Sequence, residues 1–182
     1  ISKIIEKNNI KIGLLGYNGL FAKNTSLIVN EIKKIKSRSD FVIVFPHWGV
    51  EYEKTPNDDQ KNTAKAFIDA GADLIIGTHP HVIQSIETYK NKFIFYSLGN
   101  FIFDQYFSES TMEGLSVGIL LQKKQNKIQS ANYLFPINIT KKSQPELAQG
   151  KTKEKILKEL SEISEVDENI KASIRDGNIL RL

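Results

Sequence analysis

The chain of 182 residues is 40% hydrophobic and 25% charged, with a formal net charge of +4, the balance of one globular domain of ordinary size. No apolar run is long enough for a membrane-spanning helix. The absence of cysteine excludes disulfides, thiolate metal ligands and cysteine nucleophiles, and any imidazole chemistry must use the three histidines, His47, His79 and His81.

Ile1 opens the chain with no charged-then-apolar leader after it, which reads as a fragment or a processed chain. Residues 10–16 (IKIGLLG) form a short apolar strand. Thr25 or Ser26 is placed to cap a helix over 26–38, with Leu27, Ile28, Ile32 and Ile35 as its apolar stripe. The run FVIVFP at 41–46 suits a strand buried on both faces. Asn57 caps a helix over 58–70 that turns Ala64, Phe67 and Ile68 inward and stops at Gly71. Leu74–Ile76 is another buried strand, and the series strand–helix–strand–helix–strand specifies a parallel sheet with crossover helices.

The pattern then changes. Residues 84–89 and 92–97 flank Lys90–Asn91, and residues 113–123 and 127–139 flank Gln125–Asn126. Both read as hairpins, so the second half is expected to be antiparallel. Residues 141–150 read as a polar linker. Ile156, Leu157, Leu160 and Ile163 then mark an amphipathic helix, and Ile170 and Ile174 carry helical character on to Gly177. The expected fold class is α/β, with a parallel βαβ first half, antiparallel hairpins in the second and a helical C-terminal tail. It is read as one domain over 1–182, with an α/β core at 10–140 and C-terminal helices at 151–182.

Charge is unevenly spread. Residues 1–39 hold eight basic and two acidic groups, whereas residues 40–113 hold five basic and eleven acidic groups together with all three histidines. A nucleic-acid protein concentrates basic charge around its working residues, so no nucleic-acid partner is expected. The acidic bias suits a bound cation, and solvated loops account for it nearly as well.

His47 directly follows one buried strand, and His79 and His81 closely follow another. Ligand sites of open α/β sheets form at the carboxyl ends of parallel strands, so neighbouring strands bring the three imidazoles to one edge. Pro80 pushes His79 away from the helical region into an extended one, where residues i and i+2 face the same side. His79 and His81 then point together, as two ligands of a divalent ion do. A histidine after a single strand is ordinarily a polar loop residue. Three at two strand ends, with none elsewhere, make a joint metal or catalytic site an equally good reading. A set of imidazoles with carboxylate or amide oxygens suits Mn, Zn or Fe. Glu51, four residues after His47, either orients a ligating imidazole or serves as acid or base. Asn100 and Asp104, in SLGNFIFD, either enter the same edge or bond their own turn. Glu87 and Glu113 have weaker claims, Glu87 as a strand residue facing solvent. Trp48, Tyr52 and Tyr96 flank the edge as substrate wall or as core. No GxGxxG loop or GxSxG elbow is present.

Residues 46–105, through HWGVEY, Pro56, Gln60, AGADLIIGTHPHV, Glu87 with Tyr89, and YSLGNFIFD, resemble the second half of the CapA family of bacterial capsule or poly-γ-glutamate synthesis proteins. EGLSVGILL is similar to the family's next strand, so the resemblance covers roughly residues 10–123. That family in turn resembles the calcineurin-like metallophosphoesterases. The resemblance implies a layered α/β sandwich with a two-metal centre. His47 matches a single late histidine ligand, and His79 and His81 match a paired-histidine loop. The family's Gly-Asp, Asn and Asn-Asn-His motifs do not occur here. The resemblance therefore implies a C-terminal part, incomplete at its N-terminus, that pairs with a missing N-terminal half or self-associates. It further implies metal-dependent hydrolysis or transfer, with His47, His79 and His81 as ligands and Glu51, Asn100 and Asp104 assisting. The implied partners are an anionic polymer such as poly-γ-glutamate and capsule synthase components, at the cell envelope. The alternative is a non-catalytic component that binds the polyanion or the synthase, with the basic N-terminal stretch and Lys123, Lys124 and Lys127 in contact with the polymer.

Overall fold

The β-branched and aromatic run at the centre of the first half forms strand β3 (Phe41–His47) in the computed structural model, which describes residues 2–21, 24–125 and 127–181. Strands β2 (Ile10–Asn18) and β4 (Leu74–Ile76) flank it, both parallel to it, with Asn18 opposite His47 and Val44 opposite Ile75. Helix α1 (Ser26–Lys36) and helix α2 (Asp58–Ala70) are the crossovers. The α2 start is locally encoded. The Asn57 side chain accepts from Gln60 N, and the Gln60 side chain accepts from Asn57 N. The helix ends at Gly71 in the left-handed region.

Alternation along the strands sorts side chains into two cores. Val42 and Val44 meet Ile32 and Ile35 of α1 and Ala64, Phe67 and Ile68 of α2. Phe41 and Ile43 face the other way, toward a second sheet and the C-terminal helices. That sheet is antiparallel, built from β7 (Glu113–Lys124), β8 (Lys127–Ile139) and β9 (Pro145–Leu147). Leu115 and Leu134 come from it, Leu157 and Leu160 from α3 (Gly150–Ile163), and Ile170 and Ile174 from α4 (Glu168–Arg175). The layers are thus two helices, a six-stranded sheet, and a three-stranded sheet beside two more helices.

Several expectations are corrected. Strand β1 (Ser2–Lys7), unread in the sequence, forms an antiparallel edge against β2. The hairpin of β5 (Ile86–Tyr89) and β6 (Lys92–Phe95) turns at Lys90–Asn91 as expected, both with positive φ. It does not stay in an antiparallel half. β6 inserts beside β4 in parallel, so the sheet order is β1-β2-β3-β4-β6-β5. Its residues Phe93, Ile94 and Phe95 are buried on both faces, which only a central strand allows. The β7–β8 hairpin forms, although Asn126 of its turn lies outside the described residues. The polar 141–150 segment contains β9, paired to β8, and buries Ala148. Thr25 makes no side-chain cap, and Asn24 Oδ1 accepts from Ser26 N instead. Leu27 and Ile163 are exposed. The tail breaks into two helices because Asp167 starts a new one, accepting from Ile170 N.

Candidate functional site

The neighbouring parallel strands β3, β4 and β6 deliver their carboxyl ends to one edge. Beyond β4 the chain continues alongside β3: Thr78 N donates to Pro46 O (2.9 Å) and Trp48 N donates to Thr78 O (3.1 Å). Gly77 N donates to Phe95 O, and Leu98 N donates to Gly77 O. Gly77 is the pinch point. A Cβ there would lie 2.1 Å from Tyr96 O and 2.6 Å from Trp48 Nε1, so any side chain would push the three strand ends apart.

Trp48 is buried, stacks on Phe67 and Tyr96, and donates from Nε1 to Tyr96 O at 2.9 Å. Tyr96 is also buried, and its hydroxyl donates to Glu87. Burial and that bond push the Tyr96 phenol far above its ordinary value. Both aromatics belong to the core, leaving Tyr52 as the exposed one at the edge. Glu87 does not face solvent: it is buried and paired with Lys65. Glu113 is buried beside Lys155. Burial raises its carboxyl above the usual range, and Lys155 opposes that shift.

The histidines do converge. The rings of His47 and His79 are 4.7 Å apart, centroid to centroid, and those of His79 and His81 are 5.9 Å apart. The backbone route differs from the expected one. His79 has φ +103° and His81 φ +62°, so Pro80 sits between two positive-φ residues, not in an extended segment. Tyr52, whose N donates to Pro80 O at 2.8 Å, also has positive φ (+66°). Each such conformation costs about 1–3 kcal/mol and persists only where its surroundings enforce it.

That loop contact swings Glu51 into the group. Among the described residues, Glu51, His79 and His81 form the set whose ligand atoms all lie within 4.8 Å of one another, with His47 at its side. Glu51 Oε1 is 3.9 Å from His81 Nε2. Burial, and then the neighbouring His47 ring, hold the His79 imidazole below its ordinary pKa, with Glu51 acting against them. The neutral form, with a free lone pair, is thereby favoured.

Asn100 fixes the orientation of His81. It is buried, and its Nδ2 donates to Thr111 O (3.0 Å) and Gln105 Oε1 (3.2 Å). A backbone carbonyl only accepts, so the amide orientation follows and Oδ1 is the atom 2.8 Å from His81 Nδ1. His81 Nδ1 therefore carries a proton, and Nε2, the nitrogen that faces Glu51, is the one left with a lone pair in the neutral ring. Gln105 Nε2 in turn donates to Tyr52 Oη (2.9 Å), closing the network. Gly114 on β7 lets the Asn100 loop pass, since a Cβ there would meet Asn100 O at 2.0 Å. Asp104 is exposed and takes no part in these contacts. Sequence reasoning did not find Gln105 as the link to Tyr52, because nothing in its spacing marks it.

The bacterial capsule synthesis protein family PGA_cap matches residues 2–105. The PGA biosynthesis protein CapA of Bacillus subtilis (strain 168) is 35% identical over 162 residues, 88% of this chain and 40% of its own length. The capsule biosynthesis protein CapA of Bacillus anthracis is 40% identical over 116 residues, 54% of this chain and 28% of its own. The chain thus spans less than half the length of these relatives. With more than half of its residues matched by the family, the chain belongs to the bacterial capsule synthesis proteins of the PGA_cap, or CapA, type.

Proposed function

We propose that this chain serves capsule or poly-γ-glutamate production through a divalent metal held by Glu51, His79 and His81, with His47 beside them, in a fold of the metallophosphoesterase type. The observation that carries this reading is the gathering of two imidazoles and a carboxylate from separate loops, with His81 Nε2 aimed by Asn100. The donor set fits a borderline ion such as Zn, Mn or Fe. Bonds of about 2.0–2.2 Å to one ion ask for only a small inward movement from the observed 4.8 Å spread. Glu51, with half its side chain exposed, is able to make it. A bound ion supplies Lewis acidity or a water of lowered pKa for hydrolysis or transfer. The chain's own residues do the rest. Asn100 orients the His81 ring, the buried Trp48 and Gly77 fix the loop bases, and Glu51 supplies the anionic ligand. Asp104 lies outside this arrangement.

Metal content of the full-length protein, compared with His79→Ala and His81→Ala, tests the reading. Loss of metal and of polymer output in both variants supports it. A wild-type protein that takes up no Mn, Zn or Fe, or variants that keep full output, refutes it.

A second reading, a component that binds the acidic polymer without catalysis, is favoured by one separate observation: a basic cleft at the opposite edge of the sheet.

A further inference from the structure

We propose that this cleft is a binding site for a carboxylate-bearing polymer. The proposal rests on the reading of the chain as a handler of an acidic polymer and assigns where the polymer lies. The cleft is about 730 Å³ in volume. Its floor is the amino-terminal edge of the parallel strands, at Phe41, Leu74 and Phe93. The six residue-to-residue steps from Phe41 to His47 place it roughly 20 Å from the histidines at about 3.3 Å per step. Its far wall is the distal half of the β7–β8 hairpin.

Charge selects the ligand. Lys36, Lys92, Lys124, Lys127 and Arg181 line the cleft, against Asp40 and Asp73. Asp73 is held between Lys36 and Lys92, each at 2.6 Å, so that trio keeps a net positive charge. Asp40 is matched by Lys123 at 3.0 Å. Lys124, Lys127 and Arg181 have no ion-pair partner among the described residues. Arg181 is held at the wall because Leu180 and Asn132 exchange backbone hydrogen bonds, both 2.9 Å. Positive groups gathered in a low-dielectric recess raise the local concentration of anions.

Phosphate is the poorer match. Dianion sites use bidentate arginine forks, helix N-termini or backbone nests, whereas this cleft offers two unpaired ammonium groups and one arginine, with Lys36 and Lys92 engaged by Asp73. Spaced point charges suit a chain of single carboxylates.

The test is titration of the full-length protein with defined-length poly-γ-glutamate, followed by calorimetry at two salt concentrations. Three proteins are compared: wild type, K124E/K127E/R181E, and K141E/K142E/K151E, which has the same net charge but its reversals outside the cleft. A polyphosphate of matched charge is the second ligand. K124Q/K127Q/R181Q replaces the reversal set if thermal unfolding shows that set to be misfolded. The expected result is binding by the wild type, at least about tenfold weaker binding and a flatter salt dependence for the cleft variant, little change for the control, and weaker binding of polyphosphate. Equal losses in the two variants overturn the cleft and leave only general attraction. Wild-type binding untouched by the cleft changes also overturns the cleft, while the polymer reading stands. Polyphosphate binding as tightly as polyglutamate overturns the carboxylate assignment. No binding of polyglutamate by the wild type refutes both the site and the polymer reading.

Discussion

Gly77→Ala is the sharpest probe of how the strand ends build the histidine edge. The added methyl would sit 2.1 Å from Tyr96 O and 2.6 Å from Trp48 Nε1, against an ordinary carbon contact of about 3.5 Å. Both obstacles belong to rigid, buried groups, so neither can rotate away. The Trp48–Tyr96 hydrogen bond of 2.9 Å must lengthen, and the bonds joining Gly77 to Phe95 and Leu98 are strained. Overpacking of this kind costs about 1–3 kcal/mol, and one weakened buried hydrogen bond adds about 1 kcal/mol. The sum, about 2–4 kcal/mol, is a large share of the roughly 5–15 kcal/mol that stabilises a domain. At about 2–4 °C per kcal/mol for a chain of this size, the midpoint of thermal unfolding should fall by roughly 5–15 °C. Calorimetry and the near-ultraviolet signal of Trp48 report it together, since the indole loses its fixed surroundings. A midpoint within about 2 °C of wild type, with the Trp48 signal unchanged, would show that the pinch at Gly77 has room to spare and that the reasoning is wrong.

Three further outcomes follow from the same contacts. Asn57→Ala removes the capping box of α2 and should lower stability by about 1 kcal/mol, read as a shift in the urea midpoint without a change in slope. Asn100→Ala frees the His81 ring and should weaken Zn or Mn binding about 10–100-fold in a titration, whereas Asp104→Ala should stay within about twofold; equal effects would remove Asn100 from its orienting role. In metal-free protein His79 has a folded pKa below its unfolded value, chiefly through burial. The unfolded chain then takes up protons first, and stability declines as pH falls from about 6.5 through the folded pKa. His79→Ala should flatten that part of the pH–stability curve. An unchanged slope would mean that the ring is not held neutral by the fold.

Whatever local chemistry dictates was readable from the amino-acid sequence alone. The Asn57–Gln60 box fixes the start of α2, Lys90–Asn91 fixes a tight hairpin, and the buried runs at 41–46 and 74–76 fix parallel central strands that lead into the histidines. Each depends on neighbours a few residues apart, so their spacing carries the information. Residues 2–7 escaped notice because an exposed edge strand has no hydrophobic alternation to reveal it. The 145–147 strand escaped because its pairing with β8 is a tertiary event in a polar segment. Tertiary contacts decided the site as well. Glu51 joins His79 and His81 because Tyr52 bonds Pro80, and the HPH segment takes positive φ where proline's local preference favours an extended chain. Asn100 finds Thr111 and His81 only where β7 passes close at Gly114. The basic cleft collects residues 36, 92, 124, 127 and 181, whose sequence separation hides them from any local pattern. Charge acts through space, and only folding brings such distant side chains within reach of one another.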